Sequence, residues 1–174
     1  MASARPLRWI WLSLVIVAAD RATKAAIEIF TFDGYRRPVI RNFIYLVHAK
    51  NPGIAFGIFS DSPPKWLTGL LIAGAFVVIC ALAWLLVSGH AGGTLSQAGV
   101  ALILGGATGN LTDRLLHGGV TDFFEVLFGN YHYPAFNVAD SAIAIGAACV
   151  ILELFFGARK TAHEATSEPG HKNA

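Results

Sequence analysis

Four aspartates stand at or near the ends of long apolar runs in this sequence: Asp20, Asp113, Asp122 and Asp140. An ionisable side chain at membrane depth costs roughly 2.5–3.5 kcal/mol on insertion scales, so such residues are candidates for function. Two carboxyl groups whose environments separate their pKa values can share a hydrolysis. One takes a proton from water while the other donates a proton to the carbonyl oxygen, and no cofactor is required.

Basic neighbours divide these four aspartates into two pairs. Lys24 follows Asp20 by one helical turn, and Arg114 adjoins Asp113, which predicts two structural ion pairs. The other two aspartates have no Lys or Arg within four positions. They are therefore the candidate catalytic pair.

Other catalytic chemistries find little support. No His falls within a helical turn of a Ser or Cys at the polar end, so a nucleophile would lack its activating base. Cys80 and Cys149 lie deep in apolar runs, where packing is the simpler interpretation. His48, His117 and His132 fall in predicted loops as solvated side chains, and no metal-binding motif is present. We expect neither a cofactor nor a metal.

The composition indicates an integral membrane protein. The 174 residues are 55% hydrophobic and 14% charged, whereas soluble domains are about 25% charged. The net charge of +2 gives no argument for nucleic acid as a partner. The length suits a single domain.

Apolar stretches predict an all-α membrane domain of four transmembrane helices within residues 1–158. The spans are about 9–27, 66–87, 95–116 and 138–157. Such lengths suit a hydrocarbon core of roughly 30 Å. A cleaved signal peptide is the alternative for the first stretch, because Arg5 and Arg8 precede a short apolar core. Glycines of the third span permit close helix contact: Gly99, Gly105, Gly106 and Gly109.

Two segments between the spans have different patterns. β-Branched and aromatic residues over about 37–60 predict a small β-sheet outside the hydrocarbon, because open strand edges are not tolerated against lipid. Residues 43–59 would hold an extended substrate peptide by strand addition. The aromatic segment 123–136 is predicted to lie along the membrane surface and cover a site. Residues 159–174 are predicted to be a disordered cytoplasmic tail.

Alternation of four spans brings the polar residues to one side of the membrane. These residues are Asp20, Lys24, Asn51, Asn110, Asp113, Arg114, Asp122, Asn137 and Asp140. Lys and Arg divide five against five between the two sides, so the charge bias alone does not fix the orientation. Arg5 and Arg8, directly before the first span, favour cytoplasmic termini.

Two rival functions use the same residues. A small ion-coupled transporter would employ buried aspartates as a relay, and a non-enzymatic assembly factor would employ the polar cluster for structure alone. Transporter sites usually lie near the midplane between internal repeats. Here the carboxylates gather at one end and no repeat is present, which favours the enzyme.

Five short motifs follow one another along the chain. They are Asp20-Arg-Ala-Thr-Lys24, Asn51-Pro-Gly53-Ile-Ala-Phe56, Gly105-Gly-Ala-Thr-Gly-Asn110-Leu-Thr-Asp113-Arg114, Val120-Thr-Asp122-Phe123 and Phe136-Asn137-Val-Ala-Asp140. Together they resemble, over about residues 9–157, the lipoprotein signal peptidase family, also called signal peptidase II. The departures are Pro52 and Ile54 in the second motif, and Thr121, where a hydrophobic residue is common.

The resemblance implies a multi-pass aspartic endopeptidase of the bacterial inner membrane, with cytoplasmic termini. Its substrates would be prolipoproteins that carry diacylglycerol on a cysteine, cut just before that cysteine. Asp122 and Asp140 would form the catalytic dyad at the periplasmic face, and the cyclic peptide globomycin would inhibit. Positions that line or support the site would be Asp20, Lys24, Asn51, Gly53, Asn110, Asp113, Arg114 and Asn137. We expect a monomer surrounded by membrane lipid.

The two catalytic candidates differ in their expected surroundings. If Asn137 caps the fourth helix, Asp140 lies in the first turn, where backbone N–H groups and the helix dipole favour an anion. A purely structural cap is the alternative for Asp140. Asp122 has no such support, and desolvation would raise its pKa. Asp140 is therefore predicted to be the ionised base and Asp122 the protonated partner.

Overall fold

The structure is a computed structural model that describes residues 7–52 and 65–167. Within those ranges the chain forms helices and one antiparallel sheet. In order, the elements are α1 (Leu7–Phe30), β1 (Arg36–Ile40), β2 (Ile44–Asn51), α2 (Lys65–Val87), α3 (Thr94–His117), β3 (Val120–Phe128), β4 (Tyr131–Phe136) and α4 (Val138–Ser167). A helix thus lies at each of the four predicted spans.

Two of the described helices are long and apolar enough to cross a membrane, over Trp66–Val87 and Val138–Phe156. Large apolar side chains also remain exposed around the helices, such as Trp11 on α1 and Phe76 on α2. Because exposed apolar surface of this extent is unfavourable in water, the chain is a membrane protein. Helix α4 continues to Ser167, beyond the predicted end of its span, and residues 168–174 of the predicted tail lie outside the described residues.

Close helix contacts depend on glycine. A Cβ atom on Gly99 of α3 would lie 2.5 Å from the carbonyl oxygen of Gly146 on α4, and the reverse substitution would bring the same clash. Farther along α3, a Cβ on Gly109 would lie 2.5 Å from Oδ2 of Asp20 on α1. The predicted role of the α3 glycines is confirmed, since larger side chains would force the three helices apart.

The four strands pair in chain order, β1-β2-β3-β4, and every pair is antiparallel. Strand β2 is paired with β1 on one edge and β3 on the other over Ile44–Leu46, so the predicted strand addition is blocked along that part of 43–59. Residues 54–59 lie outside the described residues. At its end β2 pairs Ala49 with Asp122, Lys50 with Thr121 and Asn51 with Val120. This register places Asn51 beside one of the catalytic candidates.

The aromatic segment 123–136, for which no strands were predicted, forms a β-hairpin from β3 and β4. Strands β3 and β4 are joined through Gly129, whose φ of 62° suits a residue without a Cβ. Runs of aromatic and β-branched residues on both sides of a two-residue link favour a hairpin. A register shift falls where Pro134 lies on β4, and proline is tolerated there because β4 is an edge strand.

Helix α3 begins without a side chain of its own to cap it, and α4 supplies one. The carboxylate of Glu153 accepts the backbone N–H groups of Leu95 at 3.1 Å and Ser96 at 3.2 Å. Gly93 precedes the helix, and a Cβ there would clash with the carboxylate of Glu153. The glycine therefore leaves room for a cap that comes from another helix.

We expect Glu153→Ala to lower the free energy of unfolding by about 1 kcal/mol, because it removes an anionic cap from a helix N-terminus. Gly93→Ala should have a similar effect by displacing the same carboxylate. Thermal unfolding of the two single variants and the double variant in detergent tests this. The double variant should be no less stable than either single one. Fully additive losses would contradict a shared interaction.

Candidate active site

A cavity of about 310 Å³ lies where the sheet meets α3 and α4. Its polar side chains come from four different elements: Asn51, Asn110, Arg114, Asp122 and Asp140. The remaining wall is Ala75, Ala107, Val120, Tyr133, Pro134, Ala135, Phe136 and Ile143. The fold thus brings both catalytic candidates, which are distant in sequence, to one cavity.

Asp122 is buried on β3 and held by two amide donors. Nδ2 of Asn137 donates to Oδ1 at 2.7 Å, and Nδ2 of Asn51 donates to Oδ2 at 3.2 Å. Burial, followed by the negative charge of Asp140, raises the pKa of Asp122 from 3.8 to about 7, against the opposing effect of the amide donors. Its carboxyl group can therefore hold a proton near neutral pH.

Asp140 lies in the first turn of α4 and takes part in a reciprocal cap. Oδ1 of Asn137 accepts the backbone N–H of Asp140 at 2.9 Å, and the backbone N–H of Asn137 donates to Oδ2 of Asp140 at 3.3 Å. The other oxygen, Oδ1, accepts Nδ2 of Asn110 at 2.8 Å. Oδ2 of Asp140 therefore takes part in the helix cap while Oδ1 contacts Asn110 in the cavity, so one carboxyl group makes both interactions at once.

Asn137 connects the two aspartates. It is fully buried, and it donates to Asp122 through its side chain and to Asp140 through its backbone. Its amide cannot turn over, because its oxygen is occupied by the backbone N–H of Asp140. Asn137 thereby fixes the position of each carboxyl group relative to the other.

Lys24 is the centre of a buried ion network beneath the cavity. Its ammonium lies 2.8 Å from carboxylate oxygens of both Asp20 and Asp113, and all three side chains are fully buried. Nζ also donates to Oδ1 of Asn110 at 3.0 Å. The predicted pair of Lys24 with Asp20 is confirmed, and the lysine serves a second carboxylate as well.

The predicted pair of Asp113 with Arg114 needs amendment. Asp113 pairs with Lys24 and with Arg21 of α1, because adjacent residues on a helix point in different directions. Arg114 lines the cavity, where its charge interacts with those of Asp140 and Asp122 and, more weakly, with that of Asp113. Gly53 lies outside the described residues.

Two contributions to the site were missed in the sequence. Arg21 pairs with Asp113 across 92 positions, and helical spacing within α1 gives no sign of that partner. Strand β4 supplies a whole wall of the cavity through residues 133–136. The short link at Gly129 between two aromatic runs was the signal for that strand.

Comparisons with known proteins agree on one family. A family model described as signal peptidase (SPase) II matches residues 12–156. The chain is similar to a lipoprotein signal peptidase of Solibacter usitatus, 40% identical over 164 residues that cover 90% of this chain and 97% of the relative. It is also similar to that of Cupriavidus pinatubonensis, 44% identical over 160 residues, 89% of this chain and 86% of the relative.

Solved structures give the same result for the fold. One bacterial membrane enzyme, solved at 2.3 Å, superposes with a TM-score of 0.75 at 27% identity and covers 96% of this chain and 94% of its own. A second, solved at 1.9 Å, gives a TM-score of 0.73 at 29% identity, over 84% and 92% of the two chains. The helices and sheet are therefore arranged as in membrane enzymes of known structure.

Removal of the central lysine should be costly. We expect Lys24→Met to lower the free energy of unfolding by about 3–5 kcal/mol, because two carboxylates stay buried without their shared counter-charge. Adding Asp20→Asn should restore part of the loss. Lys50→Met is the matched control, since the Lys50 side chain is 40% exposed and exposed ion pairs contribute about 1 kcal/mol or less. Equal thermal shifts for Lys24→Met and Lys50→Met in detergent would contradict the network's importance.

Proposed function

The chain belongs to the signal peptidase II family, which removes signal peptides from prolipoproteins, and we propose that it works as an aspartic endopeptidase. The catalytic pair is Asp122 and Asp140. The observation that supports this is their meeting in one cavity, where Asn137 holds both. Substrates are prolipoproteins with diacylglycerol on a cysteine, cut just before that cysteine.

In the proposed reaction the two carboxyl groups have opposite roles. Asp140 takes a proton from the attacking water, while Asp122 donates its proton to the carbonyl oxygen of the scissile bond. A tetrahedral diol results, with water's oxygen bonded to the former carbonyl carbon. On collapse, Asp140 passes its proton to the leaving nitrogen and Asp122 recovers a proton from the diol. Atoms and charges balance without a cofactor.

Assignment of the acid and the base follows from the surroundings of each group. Burial beside another carboxyl group keeps Asp122 protonated near neutral pH. Asp140, unlike Asp122, lies in the first turn of a helix, where the helix dipole suits a group that takes a proton from water.

An extended substrate peptide would lie along strand β4. Within the described residues only one edge of β4 is paired, with β3, and its residues 133–136 form a wall of the cavity. Strand addition gives main-chain hydrogen bonds without reading side chains. Pro134 has no N–H to donate, so the pairing would be interrupted at that position.

All four helices would cross the inner membrane, with the cavity at the periplasmic face and the termini in the cytoplasm. Helices α1 and α3 are less apolar than the other two, but their charged side chains pair with one another inside the bundle. The sheet would lie outside the hydrocarbon, as its open edges require. We expect a monomer that globomycin inhibits.

The direct test is cleavage of a diacylglyceryl-modified prolipoprotein by the purified protein, with and without globomycin. Asp122→Asn and Asp140→Asn should each lower the rate about a hundredfold to ten-thousandfold, the range that general acid–base groups contribute. Asp33→Asn, in the exposed turn after α1, should cut like the wild type. Near-normal cutting by either cavity variant would reject the catalytic pair, and a transporter or assembly factor would not cut at all.

The pH dependence of cleavage should follow the proton on Asp122. Its pKa is raised from 3.8 to about 7, so the carboxyl group is protonated below that pH and loses its proton as the pH rises through it. We expect kcat/KM to fall on the alkaline side of about pH 7, because the acid that serves the carbonyl oxygen is then lost. A rate that increases steadily through this range would contradict the assignment.

A further inference from the structure

A further carboxylate lies behind the catalytic pair, on the other face of the sheet. Oε1 of Glu28, near the end of α1, accepts the hydroxyl of Thr121 at 2.8 Å and the ammonium of Lys50 at 3.2 Å. Thr121 is fully buried, while the side chains of Glu28 and Lys50 are 24% and 40% exposed. One carboxylate oxygen thus joins α1 to two neighbouring strands.

The two strand residues that Glu28 contacts are register partners. Lys50 on β2 lies opposite Thr121 on β3, and the next residues along each strand are Asn51 and Asp122. Successive side chains of a strand point to opposite faces. Glu28 holds Lys50 and Thr121 on the α1 side of the sheet. Asn51 and Asp122 therefore point to the opposite face, into the cavity, where Asn51 donates to Asp122.

We propose that Glu28 is a positioning residue for cleavage, acting with Thr121 to hold the ends of β2 and β3 so that Asn51 stays hydrogen-bonded to Asp122. The inference rests on the proposed role of Asp122. It gives a function to Thr121, whose hydroxyl departs from the hydrophobic residue common at this position of the resembled family.

Backbone contacts of Thr121 strengthen this connection. Its N–H donates to Oδ2 of Asp113 at 3.4 Å, and its carbonyl oxygen accepts Nδ2 of Asn137 at 3.5 Å. The hydroxyl bond to Glu28 is therefore a third attachment at the residue that immediately precedes Asp122. The hydrogen bond from Asn51 to Asp122 is longer than the one from Asn137 to Asp122, and Asn51 is the last residue of β2. The contact of Glu28 with Thr121 and Lys50, called the clamp below, therefore matters most for the position of Asn51.

The charged groups near Glu28 and Asp122 decide how a shift in the pH profile of Thr121→Val is interpreted. Glu28 faces the charges of Lys50 and His117. Asp122 faces the charges of Asp140, Lys24 and Arg114 and the amides of Asn51 and Asn137. Because Thr121→Val alters none of these charges, any shift it causes in the pH profile reports a change of position. Loss of the Asn51 hydrogen bond would favour protonated Asp122 and move the alkaline limb to higher pH.

The experiment measures kcat, KM and the pH profile of prolipoprotein cleavage for Thr121→Val and Glu28→Ala. We expect kcat to fall roughly tenfold to hundredfold, the effect of a small misplacement of a reacting group. KM should stay within about twofold, because the lost interaction serves the transition state. Thr121→Ser, which keeps the hydroxyl, should restore kcat and the pH profile.

Glu125→Gln is the matched control. Glu125 also lies on β3 and bridges strands, through Arg36 of β1 and His132 of β4, but it contacts neither Asn51 nor Asp122. We expect its kcat and pH profile to equal those of the wild type. Equal losses for Glu125→Gln and Glu28→Ala would overturn the proposal, since any weakening of the sheet would then suffice.

Failure of the clamp can be separated from failure of the proposed function. If Thr121→Val and Glu28→Ala cut normally while Asp122→Asn is inactive, the clamp is rejected and the catalytic pair stands. If Asp122→Asn is active, the proposed function itself fails. A rise in KM with unchanged kcat would likewise contradict a positioning role for Glu28. So would a loss of rate that equals the fraction of unfolded protein measured by thermal unfolding. Glu28→Gln provides the same comparison if Glu28→Ala does not fold.

Discussion

The ammonium of Lys24, buried between two carboxylates, is the constraint on which the site depends. Asp20 and Asp113 come from different helices, and a carboxylate buried in the bundle is strongly destabilising when its counter-charge is removed. Asp20 also accepts the backbone N–H of Ala139 at 3.0 Å, at the start of α4. One cation thus determines how three helix ends meet, and the cavity lies where they meet.

That cation also orients an amide that holds one of the two aspartates in the cavity. Because Lys24 donates to the oxygen of Asn110, the NH₂ group of that asparagine must point to Asp140. The oxygen of Asn137 is similarly occupied by a backbone N–H, so its NH₂ group points to Asp122. An amide can present only one donor end. Because the side-chain oxygens of Asn110 and Asn137 are both occupied, their NH₂ groups point to Asp140 and Asp122. The proposed reaction needs only one of these two aspartates to be ionised.

The sequence predicted those parts of the molecule that depend on local spacing. Apolar runs located the helices, and a four-residue interval identified the contact of Lys24 with Asp20. It could not identify Lys24 and Arg21 as the cationic partners of Asp113, since both lie on another helix. The hairpin at 123–136 was missed because its register shift opposite Pro134 breaks the alternation that identifies strands. Long-range pairing leaves no periodic trace in one sequence.

The position of the sheet explains why a membrane-bound hydrolase can have water and lipid at the same site. Open strand edges must stay out of hydrocarbon, so β3 holds Asp122 at the helix ends and not at mid-depth. Below it the cavity wall becomes apolar, through Ala75, Ala107 and Ile143. The cavity is therefore polar at the ends of α3 and α4, through Asn110 and Asp140, and apolar about one turn farther along the same helices, at Ala107 and Ile143. This gradient is what the proposed substrate would require, because a polar peptide bond and an adjoining lipid anchor would each contact a surface of similar polarity.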